Sequence, residues 1–437
     1  MRALYSQDHF LSSTTRSGHI HHTPSICTEY DTSCPTDHNI ITPRYDIDSL
    51  SRGPPPTIVH SLILLPSPSH LSLSSHNHDL THPPMQAIHL PSFHPLSQPF
   101  TSLPPTTVPL PTPGPNDILI RTTHISIQQV DLLYARGLHQ NNNPKKGHIQ
   151  PPFTLGLGFA GVVVSTPASR SHPPTSSHDT LKPGTRVFGS SPSSFAQFIR
   201  LPASSLQPIP SSLTPADAAA LVSGVVSHTA VRRVAGVQAG QTVLVTGVPG
   251  SLALVAAQSA QAAGAKVLVL ARNAGRAEAV KACLPGVEVL GGEGWKGEVK
   301  RLTNGKGVDV IIDNVGVVKE GLSLLAFGGT IVLVGFAGRQ GVMEAVEMNR
   351  VLLKGAKVVG YRFGEGARRG LYDVRQCWEG YLAAIERGEI KAVVDAKTYK
   401  GLGDVGRAMD DLEHGRLVGK AVVDISDSGS TRAGARL

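Results

Sequence analysis

Between Thr242 and Ala271 the chain reads strand, glycine turn, helix, strand, and that order constrains it more than any other feature. Thr242 to Val245 is β-branched and apolar, Thr246-Gly247-Val248-Pro249-Gly250-Ser251 is a turn, an Ala-rich helix follows, and Lys266 to Ala271 is a second apolar run. Near-continuous Val/Ile/Leu runs of about five residues are the signature of strands buried on both faces. The alternation repeats through VEVLG, WKGEVKRLT, GVDVIIDNVG, a short helix, GTIVLVGFAG and KVVGY, so this half of the chain is expected to be an α/β domain with a doubly wound parallel sheet.

The turn has the spacing G-x-x-G-x-x-A. Gly247 permits the tight turn, Gly250 lets backbone approach a pyrophosphate, and the small Ala253 lets helix and strand pack closely. The N–H groups of Ser251, Leu252 and Ala253 would face phosphates at the positive end of the helix. A glycine trio alone could be a plain structural turn, but the strand before it, the helix after it and the second strand at the expected distance select a dinucleotide site. That second strand ends in Leu270-Ala271-Arg272-Asn273, where an NAD site would place an Asp or Glu. Arg272 and Arg276 instead offer cations to a 2′-phosphate, which favours NADPH; the plainer reading is that both are solvated.

Upstream, the texture is all β. MQAIHLPSFH begins at Met85 like a strand, Ile118 to Ile127 alternates with period two, and GFAGVVVST, TRVFGSS and FAQFIRLP follow between turn clusters. Pro167 to Thr180 is a Ser/Pro/His-rich insertion read as a surface loop. At Thr214 the pattern changes: Thr214 is placed as N-cap, Pro215 at N1 and Asp217 at N3 of a helix running through AAALVSGVVSHTAVRRV. Downstream come a charged helix at Val374 to Arg387 and a last strand at Lys420 to Ile425.

The first 84 residues are different material. They hold no lysine, 10 of the 33 prolines and 10 of the 19 histidines, with no surviving periodicity, and are read as a disordered leader. Their net charge of −3 leaves about +11 for the rest of a chain of 437 residues with a net charge of +8. Those positive charges are scattered, with no basic stripe interleaved with aromatics, so nucleic acid is an improbable partner. Four cysteines without a C-x-x-C pair speak against a disulfide framework or a zinc knuckle. No apolar run spans a bilayer and no secretory h-region opens the chain. A cytoplasmic protein is expected; Asp8 and the sparse Arg disfavour a mitochondrial transit peptide.

LKPGTRVFG, SFAQFIRLPA, LTPADAAAL, QTVLVTGVPGSLALVAAQSA, GVDVIIDNVG, GGTIVLVGFAG and LVGKAVVDI, in this order from Met85 to about Asp424, together resemble the medium-chain dehydrogenase/reductase superfamily. Within it they are most similar to the zinc-free quinone oxidoreductase branch that shares the enoyl-reductase domain. The resemblance implies a GroES-like β-barrel catalytic domain over 85–210, a Rossmann cofactor domain over 211–362, a return segment over 363–425 completing the first, and a flexible tail over 426–437. It also implies a cleft between the domains and a homodimer, as is frequent in the family. Met85 stands where family members begin, so the leader reads as a regulatory extension or an over-extended start. Carried over motif by motif, cofactor contacts fall on Gly250 to Ala253, Arg272, Arg276, Asn314 with Gly316, the Gly335-Phe336 turn and Lys420.

Departures from the family pattern cluster where the substrate belongs. The His-Glu pair of zinc-dependent members is absent from the corresponding stretch Gly156 to Gly161, so no metal is expected, and the Glu common in zinc-free members is replaced by Gly158; Gln128 stands for the Asn of an N-x-x-D motif whose Asp131 is retained; His139 follows Arg136-Gly137-Leu138 where relatives often carry Tyr. Without metal, the resemblance implies hydride transfer from NADPH to a quinone or to the β-carbon of an enone. Tyr134 and His139 are the candidate hydrogen-bond or proton donors, against the plainer reading of a rim Tyr and a solvated His. Two rival functions are a stand-alone enoyl reductase for polyketide or acyl intermediates, and an NADPH-binding protein that acts through RNA or partner contacts with little turnover.

Overall fold

The computed structural model describes residues 83–145, 149–166, 181–271, 274–338 and 344–429. The leader before residue 83, the 167–180 insertion, Arg272 and the tail beyond residue 429 lie outside the described residues, all of which belong to one compact unit, His76–Leu437.

Two sheets organise that unit. The first is built around the long strand Asp117–Ser126, which pairs antiparallel with Gly158–Ser165 on one edge and with Phe198–Pro202 and Val422–Asp424 on the other. Gly158–Ser165 continues antiparallel to Arg186–Ser190, and that strand to Gln207–Pro208. Ile118, Ile120, Ile125, Phe159 and Val187 are buried inside this barrel. Burying each such side chain contributes roughly 1.5–3 kcal/mol relative to exposure.

The second sheet is parallel throughout, in the order Glu288–Leu290, Lys266–Ala271, Thr242–Val248, Val308–Asp313, Leu325–Leu333, Lys357–Gly360. Successive residues of its central strands point to opposite faces. Val243, Val245, Val267 and Val269 join one core, and Leu244, Leu268, Ile311 and Ile331 the other. Both faces are thus dry, which is why these strands carry no polar alternation. The architecture is a GroES-like barrel and a Rossmann-like sheet, with helices on both sides of the latter.

The structure departs from the sequence pattern in two places. The barrel half is not purely β: Gln129–Arg136 is a helix, ended by Gly137 in the left-handed region at φ 71°. Eight residues are too few for helical periodicity to stand out, and the helix is fixed instead by Asp131, whose Oδ2 accepts from the Gln128 N–H at 2.7 Å.

The helix begun at Thr214 has the expected reciprocal cap, with Asp217 N–H donating to Thr214 Oγ1 at 3.1 Å and Thr214 N–H to Asp217 Oδ2 at 3.2 Å. It does not run unbroken to Val234 but splits into Pro215–Leu221, Gly224–Thr229 and a π-helical turn Ala230–Val234. The wedge is Tyr381, whose hydroxyl donates to the Leu221 carbonyl at 2.9 Å. A Cβ on Gly224 would collide with that hydroxyl. Ser223 is left at the break.

No helix among the described residues is long and apolar enough to cross a membrane.

Candidate cofactor turn and acceptor cleft

The glycine turn is shaped by its backbone. Gly247 has φ 92°, a conformation L side chains rarely adopt, and a Cβ on Gly250 would stand 2.9 Å from the Gly247 carbonyl oxygen. Gly250 N–H donates to that same oxygen at 2.9 Å, and Gly250 caps the twelve-residue helix Ser251–Ala262. Ser251, Leu252 and Ala253 form its first turn, where N–H groups have no partner within the helix. Ala253 is buried against the sheet, as close packing of helix and strand requires.

A second loop closes on this turn through Asp313, which is fully buried. Its carboxylate accepts from Thr246 Oγ1 at 2.8 Å and from the N–H groups of Val315 and Gly316 at 3.1 Å and Val317 at 2.8 Å. Asn314 donates Nδ2 to the Thr246 carbonyl at 3.0 Å, while its buried Oδ1 has no partner. Gly335 lies against Asn314, since a Cβ there would be 3.2 Å from the Asn314 carbonyl, and Phe336 beside it is 45% exposed. A helix N-terminus, a side-chain-free cradle and an orphaned buried acceptor are what a dinucleotide would complete. Arg276 donates from Nη1 to the Leu417 carbonyl and is half-buried, so it is not a freely solvated surface arginine.

The segment before the last barrel strand crosses the turn. Gly419 pairs with Gly250, its N–H donating to the Pro249 carbonyl at 2.8 Å. The next residue, Lys420, is 5% exposed and donates from Nζ to Ser223 Oγ at 3.2 Å. Its charged neighbour is Asp131, fully buried on the short barrel helix. Burial pulls the Lys420 ammonium down to about 8, opposed by attraction to Asp131, and burial pushes the Asp131 carboxyl up to about 7.

Tyr134 lies one turn after Asp131 and packs against His139, with ring centroids 4.5 Å apart and planes tilted by 51°. Its hydroxyl accepts from Asn141 Nδ2 at 2.9 Å, and Asn141 N–H donates to His139 Nδ1 at 3.1 Å, which leaves the ring proton on Nε2. Burial raises the Tyr134 hydroxyl above its ordinary value, with Asp131 adding to the rise and the Asn141 hydrogen bond, Arg368 and Arg362 opposing it. The two candidate donors are therefore one unit.

The Gly250–Gly419 pair, the Lys420–Asp131 neighbourhood and the Asp131–Tyr134 helix thus meet at one junction. Ser223 and Tyr381 belong to that junction too and were not foreseen; the sole signal was Gly224 inside an Ala/Val-rich helix. A recess of about 380 Å³ lined by His228, Arg232, Arg233 and Arg387 lies elsewhere and holds none of them.

The fold and the turn define a dinucleotide-dependent oxidoreductase of two domains. Residues 114–211 match the family described as alcohol dehydrogenase GroES-like domain, and residues 251–387 the family described as zinc-binding dehydrogenase. Quinone oxidoreductase-like protein 2 of Rattus norvegicus is 34% identical over 258 residues, 57% of this chain and 69% of the relative. Prostaglandin reductase-3 of Bos taurus is 26% identical over 335 residues, 73% and 84% of the two chains. A mycobacterial protein solved in complex with NADPH superposes with a TM-score of 0.66 at 26% identity, covering 78% of this chain and all of that one. The chain belongs to the medium-chain dehydrogenase/reductase superfamily.

One matched description names zinc, whereas the described side chains at the barrel wall are not its usual ligands. There stand Ser126, Gln128 and Gly158, which supply a hydroxyl and an amide in place of thiolate and imidazole. A Cβ on Gly158 would collide with Ser126 Oγ, so any side chain there must displace that hydroxyl.

Proposed function

We propose that the chain is a metal-free, NADPH-dependent reductase that delivers hydride to a quinone or to the β-carbon of an α,β-unsaturated carbonyl. The observation that carries this is the Gly247–Ala253 cradle with the unpaired Asn314 Oδ1, set beside the buried Lys420–Asp131 pair and Tyr134. Relatives named for quinones and for prostaglandins support the acceptor class, and the NADPH-bound relative supports the cofactor. Bound there, NADPH supplies the hydride from C4 of its nicotinamide.

The chain supplies everything else. Gly250 to Ala253 hold the pyrophosphate; Arg272 and Arg276 favour the 2′-phosphate; Asn314, Gly316, Gly335 and Phe336 bound the nicotinamide side. Tyr134 and the Nε2–H of His139 line the acceptor entrance as donors. A homodimer joins along the Lys357–Gly360 edge strand, where Phe327, Met348, Leu352 and Leu353 are each more than 70% exposed, an apolar surface of the kind that marks an interface.

The test follows NADPH absorbance with quinones, alkenals and enoyl thioesters, with and without chelator. Oxidation with a quinone or alkenal, unchanged by chelator, is expected. Turnover confined to enoyl thioesters would replace the acceptor class, and tight NADPH binding with no turnover would sink the reductase reading. For the dimer, Phe327→Asp should halve the mass measured by light scattering; an unchanged mass excludes this edge.

A further inference from the structure

Polar atoms without partners converge where the barrel meets the last strand. Ser126 Oγ, Gln128 Nε2 and Asp131 Oδ1 are buried and make no hydrogen bond, whereas about nine in ten buried polar groups are paired. Ser126 and Gln128 face one spot: a Cβ on Gly158 would collide with Ser126 Oγ and stand 2.7 Å from Gln128 Nε2. Ser126 pairs with Val422, and Ile127 N–H donates to the Ala421 carbonyl at 3.0 Å, so the same register sets Lys420 opposite Gln128. Lys420 carries three N–H donors; Ser223 Oγ accepts one.

Against the acceptors Asp131 Oδ1 and Ser126 Oγ the group sets the remaining N–H donors of Lys420 and both of Gln128 Nε2, and an oxygen that accepts would complete it. A quinone or enone oxygen, gathering negative charge as its ring or β-carbon is reduced, has that chemistry. We propose that Lys420 is the catalytic acid of this reductase, its Nζ–H meeting the acceptor oxygen with Gln128 Nε2 as second donor, and that Asp131 is the positioning residue which holds the ammonium there. The proposal rests on the reductase reading above and replaces a cofactor role for Lys420.

The step balances. Hydride arriving at the β-carbon forms a C–H bond, reduces the acceptor by two electrons and oxidises the dihydronicotinamide. The displaced π pair moves to oxygen, a Lys420 N–H breaks as an O–H forms, and the neutral amine regains its proton from solvent. Asp131, from the short barrel helix, is the charged group acting on Lys420; Ser223, from the helix break, is its neutral partner. Burial, which eases the ammonium toward neutrality, suits it to give up a proton near physiological pH.

The experiment compares full-length wild type with Lys420→Met, Lys420→Arg and Asp131→Asn. NADPH affinity is read from nicotinamide fluorescence, and rates with 1,2-naphthoquinone and 2-cyclohexen-1-one are read across pH. Lys420→Met should keep NADPH affinity within about twofold while kcat falls about 100-fold, the cost of losing one such donor, and its rate should lose the basic limb near pH 8. Lys420→Arg should recover part of kcat. An NADPH affinity more than about tenfold weaker with kcat unchanged, or a basic limb that persists in Lys420→Met, overturns the proposal. If Lys420→Met does not fold, Asp131→Asn decides: losing the carboxylate must move the basic limb to lower pH, and an unmoved limb overturns it. If wild type reduces no acceptor, the reductase reading fails instead. Saturation-transfer binding of cyclohexanone then tests the oxygen site alone, being lost in Lys420→Met if Lys420 holds the oxygen and retained if not.

Discussion

The cofactor turn and the acceptor cleft lie against each other through the Gly250–Gly419 pair, yet they are built in opposite ways. On the cofactor side backbone does the shaping, and the buried carboxylate that organises it, Asp313, accepts four hydrogen bonds. On the acceptor side, side chains do the shaping, and Ser126, Gln128 and Asp131 each keep a buried atom without a partner. A satisfied network rigidifies; an unsatisfied one waits for a partner. Both sides keep buried atoms for a ligand to complete, Asn314 Oδ1 beside the cofactor turn and three on the acceptor side, but only the former is framed by a satisfied carboxylate.

The contrast breaks most visibly at Asp313. Asp313→Ala leaves the Thr246 hydroxyl proton and three N–H groups without an acceptor, which should cost about 4 kcal/mol. Chemical denaturation should show that loss together with a large fall in NADPH affinity. A variant that keeps its stability would mean the cofactor loop is not held by this carboxylate. Gly224→Ala probes the other side. The added Cβ drives out the Tyr381 hydroxyl, which loses the Leu221 carbonyl, at a cost of about 2–3 kcal/mol for overpacking and a broken bond. Because Ser223 sits at that break and touches Lys420, the acceptor KM should rise while NADPH affinity holds. Equal damage to both affinities would show that the two sides are one network.

This difference in construction also decided what could be read from sequence. Gly247, Gly250 and Ala253 lie within seven residues, and Thr214 caps with Asp217 three residues away, so their chemistry is local and legible. The parallel sheet was legible because burial on both faces removes polar alternation from every strand. Lys420, by contrast, takes its meaning from Ser223, 197 residues earlier, and from Asp131 on a helix too short to show a period. The wedge that breaks the helix after Leu221 is Tyr381, 160 residues on. What the local pattern did reveal of the cleft was its oddity, Gln128 and Gly158 standing where relatives carry other residues. Those two positions turn out to share one spot.

The smallest effect is the most discriminating, because it has a sign and a pH window. Burial raises the Asp131 pKa in the folded protein to about 7. The folded state therefore binds extra protons above the unfolded value of 3.8, and the stability this group contributes at low pH is lost as pH rises to about 7. Burial lowers Lys420 from 10.5 to about 8, so its contribution is present above 10.5 and lost as pH falls to about 8. Both penalties are full between about pH 7 and 8. Replacing a buried pair by similarly shaped residues that need not be charged is often neutral or stabilising. Asp131→Asn combined with Lys420→Met should therefore unfold at a temperature equal to or above that of wild type at pH 7.5, by about 1 kcal/mol. The advantage should shrink toward pH 10.5 as Lys420 is neutralised in both states, and toward pH 4 as Asp131 is. A double variant less stable at every pH would show that the cluster is kept for folding. One that is more stable and inactive would show that the fold carries a destabilising pair because catalysis needs it.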